Sequence, residues 1–257
     1  MLNMIISFIK KLFSTTQQTK QVSSDPRAVK LSTSSATRRL VIPDIHGCPK
    51  TLQGLLNQID LKKTDYLFFL GDYIDKGVDS KGVLDSIISL INNGYTIYPL
   101  RGNHEDELIE TIEIKDKILS YHAGNNLEPL LKDEYRLLDE YENFLFQLPY
   151  YYELEDYFLV HAGFNFKAKD PLKDFDEMLW VRNFPKNLDT LKDKKLIHGH
   201  TPTPIQDILK MIKEEQRICL DAGAVFNTIE GLGELLCLDL DTLKVYRQHN
   251  LDKKAIS

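Results

Sequence analysis

Apolar runs and amphipathic runs alternate along the chain from residue 39 onward. Arg39–Pro43 is a short apolar run, and Lys50–Ile59 has its apolar residues at helical spacing. The order then repeats, because TDYLFFLGD has the composition of a buried strand and SKGVLDSIISLINNG has helical spacing that stops at Gly94. YTIYPLRGNHE predicts a further strand that runs into a polar loop. This alternation predicts an α/β fold with a largely parallel sheet and ligand sites beyond the carboxyl ends of its strands.

The pattern changes twice in the rest of the chain. From Glu105 to about Gln147 the spacing is mostly helical and the composition is acidic. From Tyr150 onward short strand-like runs return, in the order YYYEL, YFLVHAG, KLIHGHT, RICLDAGAV and ELLCLDL. We expect the last two runs to pair as neighbouring strands.

The first 37 residues differ from the remainder. Residues 1–13, MLNMIISFIKKLF, have apolar side chains on one face of a helix, but they lack a signal-peptide pattern and are too short to span a bilayer. We expect this segment to pack on its own domain or on a partner, with weak contact to a membrane surface as the alternative. Residues 14–37 are rich in Ser, Thr and Gln, which predicts a flexible tether. The chain is thus divided into 1–37, a catalytic domain at 38–250 and a tail at 251–257.

Charge and cysteine content narrow the classes of partner. The 257 residues carry a net charge of −6 and have a pI near 5.7, so the chain has no general attraction for nucleic acids and no basic stripe that would favour a nuclease. Three cysteines without paired spacing fit neither a disulfide framework nor a zinc knuckle, which predicts a reducing, cytoplasmic setting. An anionic substrate must therefore be attracted by a local site.

Side chains of metal-binding type stand where the predicted strands end. Taken singly, each has an ordinary explanation as a helix cap or a loop residue. Together they form a set of carboxylate, imidazole and amide donors that suits manganese, iron or zinc and includes no thiolate. Two such ions sharing a carboxylate can activate a bridging water for in-line attack on a phosphoryl group. The candidate ligands are Asp44, His46, Asp72, Asn103, His161 and His200.

Five ordered motifs, PDIHG, GDYIDKG, GNHE, HAG and GHT, resemble the signature blocks of the calcineurin-like metallophosphoesterases. They are most similar to the phosphoprotein phosphatase branch in its small bacterial form, and the resemblance covers about residues 38 to 250. It implies a β-sandwich of two mixed sheets flanked by helices, with two divalent metal ions, of which manganese is the expected activator in vitro. Asp44 and His46 would bind the first metal, Asp72 would bridge, and the remaining three ligands would bind the second.

The resemblance also implies roles for residues that do not bind metal. His104 would be the general acid that protonates the leaving alkoxide, oriented by Asp75. The candidates for contact with substrate phosphate are Arg101, Arg182 and Lys76, the last of which stands where the family normally has an arginine. A second HAG at residues 122–124 follows no apolar strand, so His122 is left out of the site.

These features support a phosphomonoesterase, with serine/threonine protein phosphatase as the preferred activity. The main alternative is a symmetrical hydrolase of dinucleoside polyphosphates such as diadenosine tetraphosphate, a branch that commonly lacks an acidic residue at the position of Asp75. A third possibility is an inactive phosphate-binding scaffold, which would normally have lost a ligand or His104. The sequence predicts neither the oligomeric state nor the physiological substrate.

Overall fold

Two mixed β-sheets pack face to face and carry helices on their outer sides. The structure is a computed structural model, and it describes residues 25–33, 38–113, 127–133, 136–184, 188 and 191–252. This architecture confirms the predicted α/β sandwich of two mixed sheets. The strands are β1 (Ala28–Lys30), β2 (Arg39–Ile42), β3 (Tyr66–Phe69), β4 (Thr96–Pro99), β5 (Leu131–Asp133), β6 (Arg136–Leu137), β7 (Tyr151–Glu153), β8 (Tyr157–Val160), β9 (Lys195–His198), β10 (Arg217–Cys219), β11 (Glu234–Asp239) and β12 (Val245–His249).

The helices lie in the segments that connect the strands. They are α1 (Pro49–Ile59), α2 (Ser80–Asn92), α3 (Asn103–Glu113), α4 (Asp139–Leu145), α5 (Glu177–Trp180) and α6 (Ile205–Glu214). The predicted helices at Lys50–Ile59 and Ser80–Asn92 are present, and Gly94 after α2 has a φ of 81°, as a left-handed helix end requires. Within the described residues, no helix has the length and apolar character needed to cross a membrane.

The first sheet has the strand order β12-β11-β2-β3-β4, and its strands β2, β3 and β4 run parallel. The second has the order β1-β7-β8-β9-β10, in which β8, β9 and β10 are parallel. In each sheet, therefore, neighbouring strands end at the same edge. The loops that follow those ends carry the polar residues of the candidate site.

Apolar side chains alternate across the first sheet between two cores. Val41 and Phe68 point between the sheets, where they meet Leu159 and other residues of the second sheet. Leu40 and Phe69 point the other way, into a core covered by α1 and α2. Both faces of these strands are buried, which explains their uninterrupted apolar sequences. Full burial of each large apolar side chain contributes about 1.5–3 kcal/mol.

The N-terminus of α1 is capped by a residue from the far end of the chain. Cys48, at the helix start, makes no side-chain capping bond. Instead the carboxylate of Asp252 accepts the backbone N–H of Lys50 at 3.0 Å and that of Thr51 at 2.8 Å, and it also accepts the Thr51 hydroxyl. A carboxylate at this position satisfies two otherwise unpaired N–H groups and lies at the favourable end of the helix dipole. Residues 251–252 are therefore attached to the domain.

The expectation of a flexible tether at residues 14–37 is wrong in part. Residues 25–33 are not a tether, because Ala28–Lys30 pairs in parallel with β7 and Arg27 stacks on Phe175 at 4.0 Å. The apolar run around Val29 is short and has polar residues on both sides, so it gave no clear strand signal. The Val29 side chain is buried in the core between the sheets. The boundaries at residues 37 and 250 stay predictions.

The expected pairing of the last two predicted strands is also wrong. β10 pairs with β9 in the second sheet, whereas β11 pairs with β2 and β12 in the first. Between them the chain crosses from one sheet to the other through a loop containing three glycines with positive φ. In the described part of the acidic region at 105–147, α3, α4 and a 3-10 turn at Glu128–Leu130 are helical, and the β5–β6 hairpin lies between α3 and α4. Residues 1–24, which include the predicted amphipathic segment, and His122 lie outside the described residues.

Candidate metal centre

The six predicted ligands follow the carboxyl ends of five strands. Two of the strands belong to the second sheet and three to the first, so the site lies where the ends of both sheets meet. This placement agrees with the rule for parallel strands, which collect ligand sites beyond their carboxyl ends. The residues are Asp44 and His46 after β2, Asp72 after β3, Asn103 after β4, His161 after β8 and His200 after β9.

Asn103, His161 and His200 bring three donor atoms together. Nε2 of His161 lies 2.9 Å from Oδ1 of Asn103 and 3.2 Å from Nδ1 of His200. The last two atoms are 3.0 Å apart. Oδ1 of Asp72 lies 3.5 Å from Nε2 of His161. The structure thus gathers the residues predicted for the second metal around one point, with the predicted bridging carboxylate beside them.

The other oxygen of Asp72 faces the predicted first metal position. Its Oδ2 is 3.4 Å from Nε2 of His46 and 3.9 Å from Nε2 of His104. Asp72 belongs to both groups of His and Asp side chains whose ligand atoms lie within 4.8 Å of one another. In the described part of the chain Asp44 belongs to neither group, and its carboxylate accepts the backbone N–H of His200 at 3.0 Å.

Backbone carbonyls fix the tautomers of two of these histidines. Nδ1–H of His161 donates to the carbonyl of Leu70 at 2.9 Å, and Nδ1–H of His46 donates to that of Ile74 at 2.9 Å. A proton on Nδ1 leaves the lone pair on Nε2, which in both rings faces the cluster. Burial lowers the pKa of His46 to about 3, so this ring is neutral at pH 7 and its lone pair is available.

The chemistry of the donor set fits a cation. Lone pairs of His161 and Asn103 face each other at 2.9 Å, and His200 adds a third nitrogen at about the same distance. One proton on His200 can bridge only one of these pairs, whereas a cation satisfies all three donors together. Burial lowers the pKa of His200 to about 2, which excludes a second proton on that ring. Nitrogen and oxygen donors of this kind suit borderline divalent metals.

Five of the predicted site residues have left-handed backbone. The φ angles of His46, Asp72, Asp75, Lys76 and His200 are 47°, 52°, 66°, 62° and 70°. Non-glycine residues rarely adopt this region, and each such residue costs roughly 1–3 kcal/mol. Such strain concentrates at functional sites, where the surrounding structure holds it in place.

Two glycines of the signature motifs permit the loops to approach each other. A Cβ atom at Gly199 would lie 1.9 Å from Oδ1 of Asp44, and one at Gly102 would lie 2.2 Å from Oδ1 of Asp72. Any side chain at these positions would displace a candidate ligand. This close approach gives a physical reason for glycine in GHT and GNHE.

Asp221 is a site residue that the sequence reasoning missed. It follows β10, it is buried, and its Oδ1 accepts the N–H of Gly223 at 2.8 Å. Burial raises the pKa of Asp221 to about 6. Burial also raises the pKa of Asp44 well above its ordinary value, helped by the nearby carboxylates of Asp221 and Asp72. Three buried carboxylates at close range repel one another, and a bound cation would relieve that repulsion.

Glu105 is a second missed residue, and it supports the loops rather than facing the cluster. Its buried carboxylate accepts four backbone N–H groups, from Asp72 and Tyr73 at 2.8 Å each, Gly102 at 3.0 Å and Ile74 at 3.3 Å. Burial and the Asp72 carboxylate raise the pKa of Glu105 to about 7, while these N–H groups favour its ionised form. Glu105 thereby ties the loop of Asp72 to the start of α3.

His104 and Asp75 form the pair that the sequence predicted. Nδ1 of His104 lies 2.7 Å from Oδ2 of Asp75, and the backbone N–H of Asp75 donates to the Ser80 hydroxyl at 3.0 Å. Burial would lower the pKa of His104, but the hydrogen bond with Asp75 and the charges of Asp72 and Asp75 together outweigh it, and the pKa is raised. The ring packs edge-on against His46 with centroids 4.9 Å apart, so Nε2 of His104 stays beside the cluster.

The three predicted phosphate contacts are placed differently from one another. Lys76 is exposed, and its Nζ lies 2.9 Å from Nε2 of His46. Arg182 is exposed and its guanidinium approaches the carbonyl of His200 at 3.5 Å. Arg101 instead pairs with Asp106 at 2.8 Å and donates to backbone carbonyls at the C-terminal end of α4. Protein acceptors thus hold the Arg101 guanidinium, and its contact with substrate phosphate stays a prediction.

Comparisons with known proteins agree with this geometry. A family model described as calcineurin-like phosphoesterase matches residues 37–225. Among curated proteins, the chain is 33% identical over 125 residues to a symmetrical bis(5'-nucleosyl)-tetraphosphatase of Nitrosomonas europaea, an alignment that covers 48% of this chain and 43% of the relative. A protein of the same name from Salmonella paratyphi A is 31% identical over 159 residues, or 59% of this chain and 54% of the relative. The chain spans about half the length of the curated relatives it matches.

Solved structures resemble the fold at lower identity. A candidate diadenosine tetraphosphatase superposes with a TM-score of 0.63 and 21% identity, covering 88% of this chain and 99% of the other. A protein serine/threonine phosphatase from Saccharomyces cerevisiae gives a TM-score of 0.60 and 17% identity, covering 99% of this chain and 90% of the other. At these identities the likeness concerns the fold alone.

Proposed function

Because the chain belongs to the calcineurin-like phosphoesterase family, we propose that it is a metal-dependent hydrolase that cleaves dinucleoside polyphosphates. The observation that carries the hydrolase assignment is the convergence of Asp72, Asn103, His161 and His200 donor atoms at the ends of strands from both sheets. The substrate class is supported by the names of three curated relatives, which are 31–36% identical to the chain over the aligned residues. They favour the activity that the sequence motifs ranked second.

In this proposal six side chains hold two divalent ions. Such ions supply Lewis-acid polarisation of a phosphoryl group and an acidified water as nucleophile. Asp72 is the shared ligand, because its two oxygens face the two halves of the cluster. The other ligands are Asp44 and His46 on one side and Asn103, His161 and His200 on the other.

The remaining side chains manage charge and protons around the substrate. Lys76 and Arg182 place two exposed cations on opposite sides of the cluster, where they would attract the anionic phosphate chain. In the doubly protonated ring of His104, Nδ1–H donates to Asp75 and Nε2–H is left to face the substrate, and the raised pKa of His104 favours this form. An N–H at this position donates a hydrogen bond to the leaving oxygen of the substrate.

A phosphoprotein is the second candidate substrate, and the His104–Asp75 pair is the observation that favours it. A serine or threonine alkoxide is a strongly basic leaving group that must be protonated as it departs. A nucleoside diphosphate leaves through a phosphate oxygen, which is stable as an anion and needs no proton. A histidine with a raised pKa, held by a buried aspartate at 2.7 Å, is thus more useful for an alkyl ester.

A side-by-side assay separates the two substrates. Metal-loaded protein is given diadenosine tetraphosphate or a phosphoserine peptide with Mn²⁺, and nucleotides and phosphate are quantified by chromatography. We expect kcat/KM for the dinucleotide to exceed that for the peptide by at least about tenfold, a difference of ~1.4 kcal/mol in transition-state binding. Asp72→Asn is the control for contaminating activity. A larger kcat/KM for the peptide would move the assignment to the phosphatase, and turnover of neither would contradict the proposal.

A further inference from the structure

Trp180 is the single tryptophan of the chain, and it lies exposed at the candidate metal centre. Its side chain is 43% exposed, although indoles bury large apolar areas in most folds. The indole meets the His200 ring edge to face, with centroids 6.1 Å apart and planes at 88°. A large flat surface is therefore open to solvent directly beside a predicted metal ligand.

The backbone around Trp180 is held firmly although its side chain is exposed. Trp180 ends α5, in which Met178 and Leu179 are buried. The carbonyl of Met178 accepts the N–H of Ala162 at 2.8 Å, which ties α5 to the loop that follows His161. Val181 and Phe184 pack against Gly163, where a Cβ atom would lie only 2.4 Å from the Phe184 ring. The indole is thus positioned before any ligand arrives.

Positive charge lies beside the indole. Arg182 is two residues away, and its guanidinium approaches the carbonyl of His200, whose ring contacts Trp180. If Arg182 and the metal centre hold the anionic group of a ligand, the rest of that ligand extends past the indole. A ligand that joins phosphates to a planar ring would place that ring against the indole. Nucleotides have this chemistry, and a stacked base contributes roughly 5- to 150-fold in affinity.

We propose that the indole of Trp180 is the stacking platform for the nucleobase of the substrate. This inference rests on the proposed function, because it specifies which part of a dinucleoside polyphosphate the chain recognises. Trp180 would act on binding and thereby on KM. It would contribute less to the chemical step, since stacking holds substrate and transition state equally.

Calorimetric titration of the Mn²⁺-loaded protein tests the platform with two probes. ADP carries a base, whereas inorganic pyrophosphate carries the same two phosphoryl groups without one. We expect wild-type protein to bind ADP at least about fivefold more tightly than pyrophosphate. Trp180→Leu should remove that difference and leave pyrophosphate affinity unchanged, and Trp180→Phe should retain much of it. ADP should also quench the fluorescence of the single tryptophan, whereas pyrophosphate should not.

Phe146→Leu is the matched control, because this aromatic side chain is also 43% exposed and belongs to no part of the site. It should leave both affinities unchanged. Equal binding of ADP and pyrophosphate by wild-type protein would overturn the platform, as would unchanged ADP affinity in Trp180→Leu. Pyrophosphate binding by each variant reports that the protein is folded and loaded.

The platform and the proposed function fail in different ways. If Trp180→Leu weakens ADP binding but diadenosine tetraphosphate is not hydrolysed, the platform stands and the substrate assignment is wrong. If the dinucleotide is hydrolysed with a KM that Trp180→Leu does not change, the assignment stands and the platform is wrong. If Trp180→Leu weakens a phosphopeptide and ADP binds no better than pyrophosphate, the indole contacts peptide side chains and the nucleobase proposal falls.

Discussion

The carboxylate of Glu105 should be worth a large part of the stability of the protein. Its two oxygens each accept two backbone N–H groups, Oε1 from Tyr73 and Ile74 and Oε2 from Asp72 and Gly102. Glu105→Gln keeps the size of the side chain but replaces one oxygen with an NH₂ group, which is itself a donor. Two buried N–H groups then lose their acceptor whichever way the amide is turned.

The expected loss follows from that count. A buried donor left without an acceptor costs about 1–3 kcal/mol, so two should lower the free energy of unfolding by about 2–6 kcal/mol. Typical domains have only about 5–15 kcal/mol in total. With a urea m-value of about 3 kcal/mol/M, the unfolding midpoint should fall by about 0.7–2 M.

Urea unfolding of chelator-treated protein, followed by circular dichroism, measures this loss without a contribution from metal binding. Glu110→Gln is the matched control, because Glu110 lies on the same helix and is exposed. The control removes the same charge and should shift the midpoint by less than about 0.3 M, as surface substitutions usually do. If Glu105→Gln behaves like Glu110→Gln, the four hydrogen bonds do not hold the site loops together and the reasoning is refuted.

Three further predictions concern the site itself. Asp72→Asn should weaken Mn²⁺ binding at both positions in calorimetry and lower kcat by about 100-fold or more, since both oxygens of Asp72 face the cluster. If the variant kept two tight Mn²⁺ sites, Asp72 would not be a shared ligand. His104→Asn should lower hydrolysis of an alkyl phosphate by roughly 10²–10⁴-fold but affect p-nitrophenyl phosphate far less, because nitrophenolate needs no proton; equal losses would remove the acid role. Lys76→Met should tighten Mn²⁺ binding about tenfold, because Nζ at 2.9 Å competes for the lone pair of His46, and should weaken inhibition by phosphate. Unchanged values of both constants would exclude Lys76 from the site.

The sequence predicted the parts of the site that stand at strand ends. Asp72 and His161 follow uninterrupted apolar runs. A side chain that follows a buried parallel strand lies at the carboxyl edge of the sheet, where ligand sites collect. The family resemblance supplied the rest, including the pairing of His104 with Asp75, which their spacing alone does not give. The sandwich of two mixed sheets was likewise implied by the resemblance and is confirmed.

The residues that sequence reasoning missed act through contacts distant in the chain. Like the predicted ligands, Asp221 follows the end of a strand, and Gly223 stands two residues after it. It lies in none of the five motifs, however, so the sequence did not single it out. Glu105 stands inside GNHE, yet only the fold reveals that four backbone donors surround it. The predicted pairing of β10 with β11 was wrong, because an apolar pattern indicates that a strand is buried but not which sheet it joins. The motif placed Arg101 near phosphate, but it could not predict the ion pair of Arg101 with Asp106.

The cap on α1 also bears on when the site can assemble. The bonds from Lys50 and Thr51 to Asp252 join residues more than 200 positions apart, and the Asp44 carboxylate meets the N–H of His200 across 156 positions. During synthesis on the ribosome, His200 emerges 156 residues after Asp44, so the loop of Asp44 and His46 is completed only after that length of chain has been made. Closing such long loops slows folding. The nascent chain should therefore acquire its metal affinity late, after its C-terminal hairpin has added to the first sheet.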